Sequence, residues 1–226
     1  MMMRVATAAA AALALSLPAT AAHAADTAPR AVPEVLPMGV AVSALPLAAE
    51  DRTGYQRTSF KHWNAGANPS DGCNTRMEVL IQEAIEAPEV GPGCTLTGGV
   101  WWSYYDDQRV TPAGALDIDH MVPLAEAWDS GASSWTAQKR EAYANDLGQE
   151  SSLVAVTARS NRSKADQDPS QWLPPSGSER VLCQYAAEWT ATKLRWGLTV
   201  DEAERDRLTD IAAGCGSTDV VFTPAP

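Results

Sequence analysis

The sequence predicts an α+β domain with much helix and little strand, and three observations predict it. Runs with apolar residues at helical spacing outnumber alternating ones. Only residues 100–105, 115–119 and 153–157 read as strands, each short. No internal repeat interrupts the pattern, and 226 residues with 45% apolar and 20% charged content suffice for one generous core.

The elements follow in order. Residues 1–24 read as a secretory signal: Arg4 gives the positive start, residues 5–17 are apolar, and Ala22-His23-Ala24 offers small residues at a cleavage site. That apolar run is short for a membrane span of roughly 20 residues. Residues 25–50 are rich in Ala and Pro, and Pro29, Pro33, Pro37 and Pro46 predict an arm without regular structure. Residues 51–216 are expected to form the folded domain, and residues 217–226 a flexible tail.

Within the domain, Thr75-x-x-Glu78 resembles a capping box. Met77, Leu80, Ile81 and Ala84 continue it as a helix that stops before Pro88. Residues 90–99 are turn-rich and lead into the aromatic strand 100–105. In strand 115–119, Leu116 and Ile118 share one face, and Asp117 and Asp119 the other. Ser133 or Ser134 caps a helix to about residue 144. The β-branched strand 153–157 precedes a short helix from about Ser160. Residues 181–196 form a longer helix stopped by Gly197. Thr199-x-x-Glu202 opens the last helix, to about residue 213.

A formal charge of −11 argues against a basic coat for nucleic acid. The chain carries no HExxH, GxSxG, GxxxxGK[ST] or CxxC, so the usual zincin, nucleophile-elbow, P-loop and zinc-ribbon readings lose their signatures. Export would place Cys73, Cys94, Cys183 and Cys215 in an oxidising compartment, where four cysteines allow three pairings. Nearest-neighbour pairing, Cys73 with Cys94 and Cys183 with Cys215, is the simplest, each bridge being worth roughly 2–4 kcal/mol. A four-thiolate zinc site is the alternative, disfavoured by the lack of a closely spaced pair.

The chemistry concentrates in Asp117-Ile118-Asp119-His120-Met121-Val122-Pro123-Leu124 and in Ser160-Asn161-Arg162-Ser163-Lys164-Ala165-Asp166. A strand ends in a carboxylate beside an imidazole. A second strand runs into a helix carrying Asn161 and Lys164 as i, i+3 neighbours. Paired, the strands bring that helix over Asp119 and His120. Asp119 and Asn161 offer hard oxygen ligands suited to Mg²⁺. His120, with an ordinary pKa near ~6.5, can accept a proton from water. The helix start, Arg162 and Lys164 would hold phosphate. Arg159, Arg162 and Lys164 form a local basic stretch that offsets the acidic background.

These two stretches resemble those of HNH-type (ββα-metal) endonucleases. Within them the chain is most similar to small secreted bacterial proteins related to the C-terminal nuclease domain of modification-dependent restriction enzymes. The likeness extends from about Tyr55 to Cys215 and includes Phe60-x-His62-Trp63, Cys73-x-Thr75-Arg76, Gly91-Pro92-Gly93-Cys94 and Asp166-x-Asp168-Pro169-x-x-Trp172. The resemblance implies a ββα-metal core with additional packed helices. Asp119 and Asn161 then take the metal-ligand positions, and His120 the general-base position. It also implies one divalent cation, Mg²⁺ with Mn²⁺ or another as substitutes. The middle Asn of the pattern falls on Ser152, so the bracing of the base loop passes to Ser152 or to Asn145. Asp117 reads as a second ligand or a solvated carboxylate. His62 reads as a structural group beside Trp63 or a second catalytic group. Arg76 either reaches the site or pairs with Glu78 or Asp71.

The expectation is therefore a secreted, metal-dependent endonuclease that cuts DNA with little sequence preference. Its mature chain would have no membrane span, and the sequence names no protein partner. A non-enzymatic, disulfide-stapled binding module is the alternative from another class, and a phosphodiesterase acting on RNA or small nucleotides is a third.

Overall fold

Residues 153–157, Leu-Val-Ala-Val-Thr, are apolar at four consecutive positions, which suits a strand covered on both faces. The computed structural model describes residues 32–226 and places them that way. The signal segment 1–24 and residues 25–31 of the expected arm lie outside the described residues.

The chain begins with β1 (Glu34–Pro37), α1 (Met38–Ala44) and α2 (Thr75–Gln82). Short hairpins follow: β2 (Glu89–Gly91) with β3 (Thr95–Thr97), and β4 (Trp101–Ser103) with β5 (Gln108–Val110). Then come β6 (Leu116–His120), α3 (Leu124–Asp129), α4 (Ala137–Ala144), β7 (Leu153–Thr157) and α5 (Ala158–Lys164). The chain closes with α6 (Glu179–Trp196), α7 (Glu202–Gly214) and β8 (Asp219–Phe222). This is a mixed helix and strand fold with two disulfides, Cys73–Cys94 and Cys183–Cys215. All four cysteines are therefore used, and the zinc alternative falls away.

The centre is the antiparallel pair β6·β7, with Leu116 opposite Thr157 and His120 opposite Leu153. Its alternation divides the interior. Leu116, Ile118, Leu153 and Ala155 join Val79 and Leu80 of α2 and the buried Trp101 in a smaller core. Val154 and Val156 join the larger core, built on Tyr105, Tyr185, Trp189 and the apolar faces of α1, α6 and α7. Asp119 lies opposite Val154, so strand register alone delivers a carboxylate to the face of the larger core.

Two boundaries expected from sequence are corrected. The arm is not without regular structure: β1 pairs with β8, and Met38, Ala41, Val42 and Leu45 are buried in the larger core. Residues 217–226 are not a free tail, because Val220 and Phe222 are buried in the same core. Pro37 does not break structure here. It ends a two-stranded ribbon and stands at the N-cap of α1, where a missing N–H costs nothing.

Helix starts also moved. Asn74, not Thr75, caps α2 through Met77 N–H, and Asp201, not Thr199, caps α7 through Glu204 N–H. Thr136, rather than Ser133 or Ser134, caps α4, and the turn-rich stretch 90–99 contains the β2·β3 hairpin. Helix α3, directly after Pro123, had no clear periodic signal because it is only 6 residues long. Gly197 closes α6 with φ 66°, as the sequence predicts.

Candidate active site

Asp119 and His120 end β6, and Asn161 lies in α5, which follows β7 without a loop. The β6·β7 pairing thus joins two stretches separated by more than thirty residues. Asp119, His120, Asn161 and Arg162 line one cleft of about 250 Å³. Two clefts of about 520 Å³ lie elsewhere, but neither gathers a carboxylate, an imidazole and an amide.

His120 is held on several sides. Its ring stacks against Trp63 (5.5 Å between centroids, 27° between planes) and Tyr143 (6.4 Å, 19°). His62 meets it edge-on at 6.1 Å. Nε2 lies 3.0 Å from the carbonyl oxygen of Ala144. A carbonyl only accepts, so Nε2 carries the proton and Nδ1 keeps the lone pair. Burial pushes the imidazole pKa down to about 3. The ordinary pKa expected from sequence is thereby corrected: burial keeps His120 neutral throughout the physiological range.

Asp119 is buried. Its Oδ2 accepts from Lys164 Nζ at 2.5 Å and from the Tyr105 hydroxyl at 2.7 Å. Burial pushes its carboxyl up, against the pull of Lys164. The other oxygen, Oδ1, is left out of these bonds. Asn161 Nδ2 donates to Asp117 Oδ2 at 3.2 Å, which leaves the amide oxygen of Asn161 for another partner. Asp117 therefore orients Asn161, and Arg162 Nε approaches the same carboxylate at 3.5 Å. One carboxylate oxygen and one amide oxygen beside a cleft are a donor set that fits a hard divalent cation keeping part of its water.

Lys164 does not hold phosphate, contrary to the sequence reading. It is fully buried and donates to Asp119 Oδ2 and to the carbonyls of His120 (3.1 Å) and Met121 (2.7 Å). The ammonium fixes the end of β6 from beneath. Burial lowers its pKa, and Asp119 opposes that shift. The basic stretch divides three ways: Lys164 goes inside, Arg162 lines the cleft, and Arg159 lines a different one with Thr157 and Ser160. The first turn of α5 faces that second cleft too, so the helix start is not the phosphate seat.

Bracing of the segment that follows His120 is shared. The Ser152 carbonyl accepts from Met121 N–H at 3.0 Å, and its hydroxyl donates to Asp146 at 2.7 Å. Asp146 also accepts from Arg195 and from Trp196 Nε1, which ties the loop to α6. Asn145 accepts from Asn64 N–H and donates to the Lys61 carbonyl, holding the segment that carries His62 and Trp63. His62 itself is structural in its bonding: Nδ1 meets the Phe60 carbonyl at 2.8 Å, and the ring sits against Trp63. Arg76 pairs with neither Glu78 nor Asp71; it donates to the Leu116 carbonyl at 3.0 Å, at the far end of β6.

Sequence reasoning missed Asp146 and Tyr105. Asp146 follows Asn145 in a segment with no periodic pattern, and Tyr105 reads as a core aromatic. Among the described residues, Glu50, Glu126 and Asp129 also gather their oxygens within 4.8 Å. Glu126 and Asp129 are already neutralised by Lys193 and Arg52, so that group is an ion-pair network.

Comparison with known proteins points to a nuclease-type domain. Residues 68–211 match the family described as GmrSD restriction endonucleases, C-terminal domain, and the chain belongs to that family. A protein of Arthroderma benhamiae described as an uncharacterized secreted protein is 41% identical over 162 residues, covering 72% of this chain and 76% of the relative. No solved structure matches. Among the described residues, no helix is long and apolar enough to cross a membrane.

Proposed function

We propose that this protein is a secreted endonuclease that hydrolyses phosphodiester bonds in DNA with the help of a divalent cation, Mg²⁺ by preference and Mn²⁺ as a substitute. In this reading β6, β7 and α5 are the ββα-metal core. The observation that carries it is the convergence on one cleft of three groups with a free electron pair: Asp119 Oδ1, the Asn161 amide oxygen and His120 Nδ1. Asp119 and Asn161 would hold the cation. When bound, it would supply positive charge to the phosphate oxygens and acidify the attacking water.

The chain's own residues do the rest. His120, locked by the Ala144 carbonyl and the two flanking rings, presents Nδ1 to the water and takes its proton. Lys164 keeps Asp119 ionised and the carbonyls of His120 and Met121 in place. The cut requires no base-specific contact, in keeping with little sequence preference. Export follows from the signal-like residues 1–24, the two disulfides and the relative described as secreted.

Plasmid nicking with Mg²⁺ or Mn²⁺, with and without chelator, tests the proposal. Chelation is expected to abolish nicking, and Asp119→Ala and His120→Ala each to lower it by about 100-fold or more. Chelator-resistant nicking, or unchanged rates in both variants, would overturn it. Parallel assays on structured RNA and on a chromogenic diester separate DNA cleavage from the alternatives, and binding without turnover on all three would mark a binding module.

A further inference from the structure

With Lys164 withdrawn into the core and Arg159 turned to another cleft, the cleft beside His120 has few cations for an anionic substrate. Two guanidinium groups line it, Arg162 and Arg57. They face Asp119 and Asp166 on the same lining. Arg162 shares its charge with Asp117 at 3.5 Å, and Asp166 is approached by Arg52 at 3.4 Å. Arg57 makes no ion pair among the described residues, and it is exposed.

Arg57 is not on a loose segment. It opens the turn Arg57–Ser59, and its carbonyl accepts from Phe60 N–H at 3.1 Å. Arg140 Nε donates to the Ser59 carbonyl at 3.1 Å. Phe60 is fully buried, with ring centroids 6.0 Å from Tyr143 and 6.4 Å from Trp128. Tyr143 is also the ring stacked on His120. One aromatic layer therefore sets the position of both Arg57 and His120, although Arg57 lies outside the family-matched residues 68–211.

We infer that Arg57 is a phosphate clamp, its guanidinium donating to a non-bridging oxygen of the phosphodiester that enters the cleft beside His120. The inference rests on the hydrolytic reading above. The chemistry favours arginine: a planar fork matches two phosphate oxygens. An exposed guanidinium without a carboxylate partner gives up no existing ion pair to make those bonds. The substrate class is a diester with at least one ionised oxygen, so an uncharged phosphotriester would escape it.

The test compares wild type, Arg57→Ala and Arg57→Lys in plasmid nicking with Mg²⁺, with thermal melting as control. Arg57→Ala is expected to lose about 10–100-fold in kcat/KM with its melting temperature unchanged, and Arg57→Lys to lose less. Free guanidinium ion is expected to restore part of the rate to Arg57→Ala and nothing to wild type. The slope of log rate against log salt is expected to shrink by about one. Wild-type rate and salt slope in Arg57→Ala, beside an active wild type, would overturn the clamp and leave the nuclease reading standing. So would a loss that neither lysine nor guanidinium repairs, since that marks a packing role. A wild type that cleaves no DNA with either metal would bring down the nuclease reading, and the clamp with it.

Discussion

The protein buries two lysines, and they do different work. Lys193 on α6 sits between two carboxylates, Glu126 at 2.8 Å and Glu204 at 2.6 Å, both almost fully enclosed. It also donates to Ser130 Oγ and the Thr199 carbonyl. Lys164 on α5 has one carboxylate, Asp119, which also lines the cleft. Surplus negative charge raises the Lys193 pKa against burial, whereas burial prevails at Lys164. The sealed lysine fastens α3, α6 and α7 together. The other stands beneath the cleft and holds Asp119 and the carbonyls of His120 and Met121 in position. A buried cation thus says little about role until its partner's access to solvent is known.

The comparison is most severely tried by Lys193→Met. Two enclosed carboxylates would lose their cation, and the expected cost is about 3–5 kcal/mol, measured by denaturant unfolding. A loss below about 1 kcal/mol would break the distinction. Lys164→Met is expected to cost less stability, because it leaves one carboxylate without its cation rather than two, and that one, Asp119, lines the cleft. It should lower nicking by about 100-fold, whereas Lys193→Met, assayed below its melting temperature, should cut at near wild-type rate. Equal activity losses in the two variants would erase the contrast.

The smallest effect sharpens the sealed side. One ammonium balances only one of two carboxylates, and burial pushes Glu204 up to about 7. Its folded pKa is therefore above the unfolded value, so its contribution to stability is present below about pH 4.5 and is lost as pH rises through 7. Relative to Glu204→Gln, wild type is expected to lose about 2–3 kcal/mol between pH 5 and 8. A pH-independent difference in unfolding free energy would mean that Glu204 is ionised throughout.

Much of the site's scaffold could be read directly from residues. Alternation placed Leu116 and Ile118 opposite Asp117 and Asp119, and β-branching marked residues 153–157. The structure keeps both strands within a residue or two of the expected bounds. What escaped was non-local. The β1·β8 ribbon joins residues at opposite ends of the described chain, and no local pattern records such a partner. Lys164 was misplaced because lysines usually sit outside, and helix spacing shows a side chain's neighbours without showing its depth. Arg57 carries no motif; only the packing of Phe60 against Tyr143 brings it to the cleft. Ser152 and Asn145 carry a hydroxyl, a carbonyl and an amide that could be expected to brace neighbouring segments, but Asp146, which gathers Ser152, Arg195 and Trp196, follows no local pattern.

The ribbon that joins Glu34–Pro37 to Asp219–Phe222 has a practical consequence for resistance to proteolysis. A protease that reaches this ribbon must first peel away a strand whose Val220 and Phe222 are sunk in the main core. Recombinant fragments trimmed to the family-matched residues 68–211 would discard this clasp and should be short-lived when protease is added.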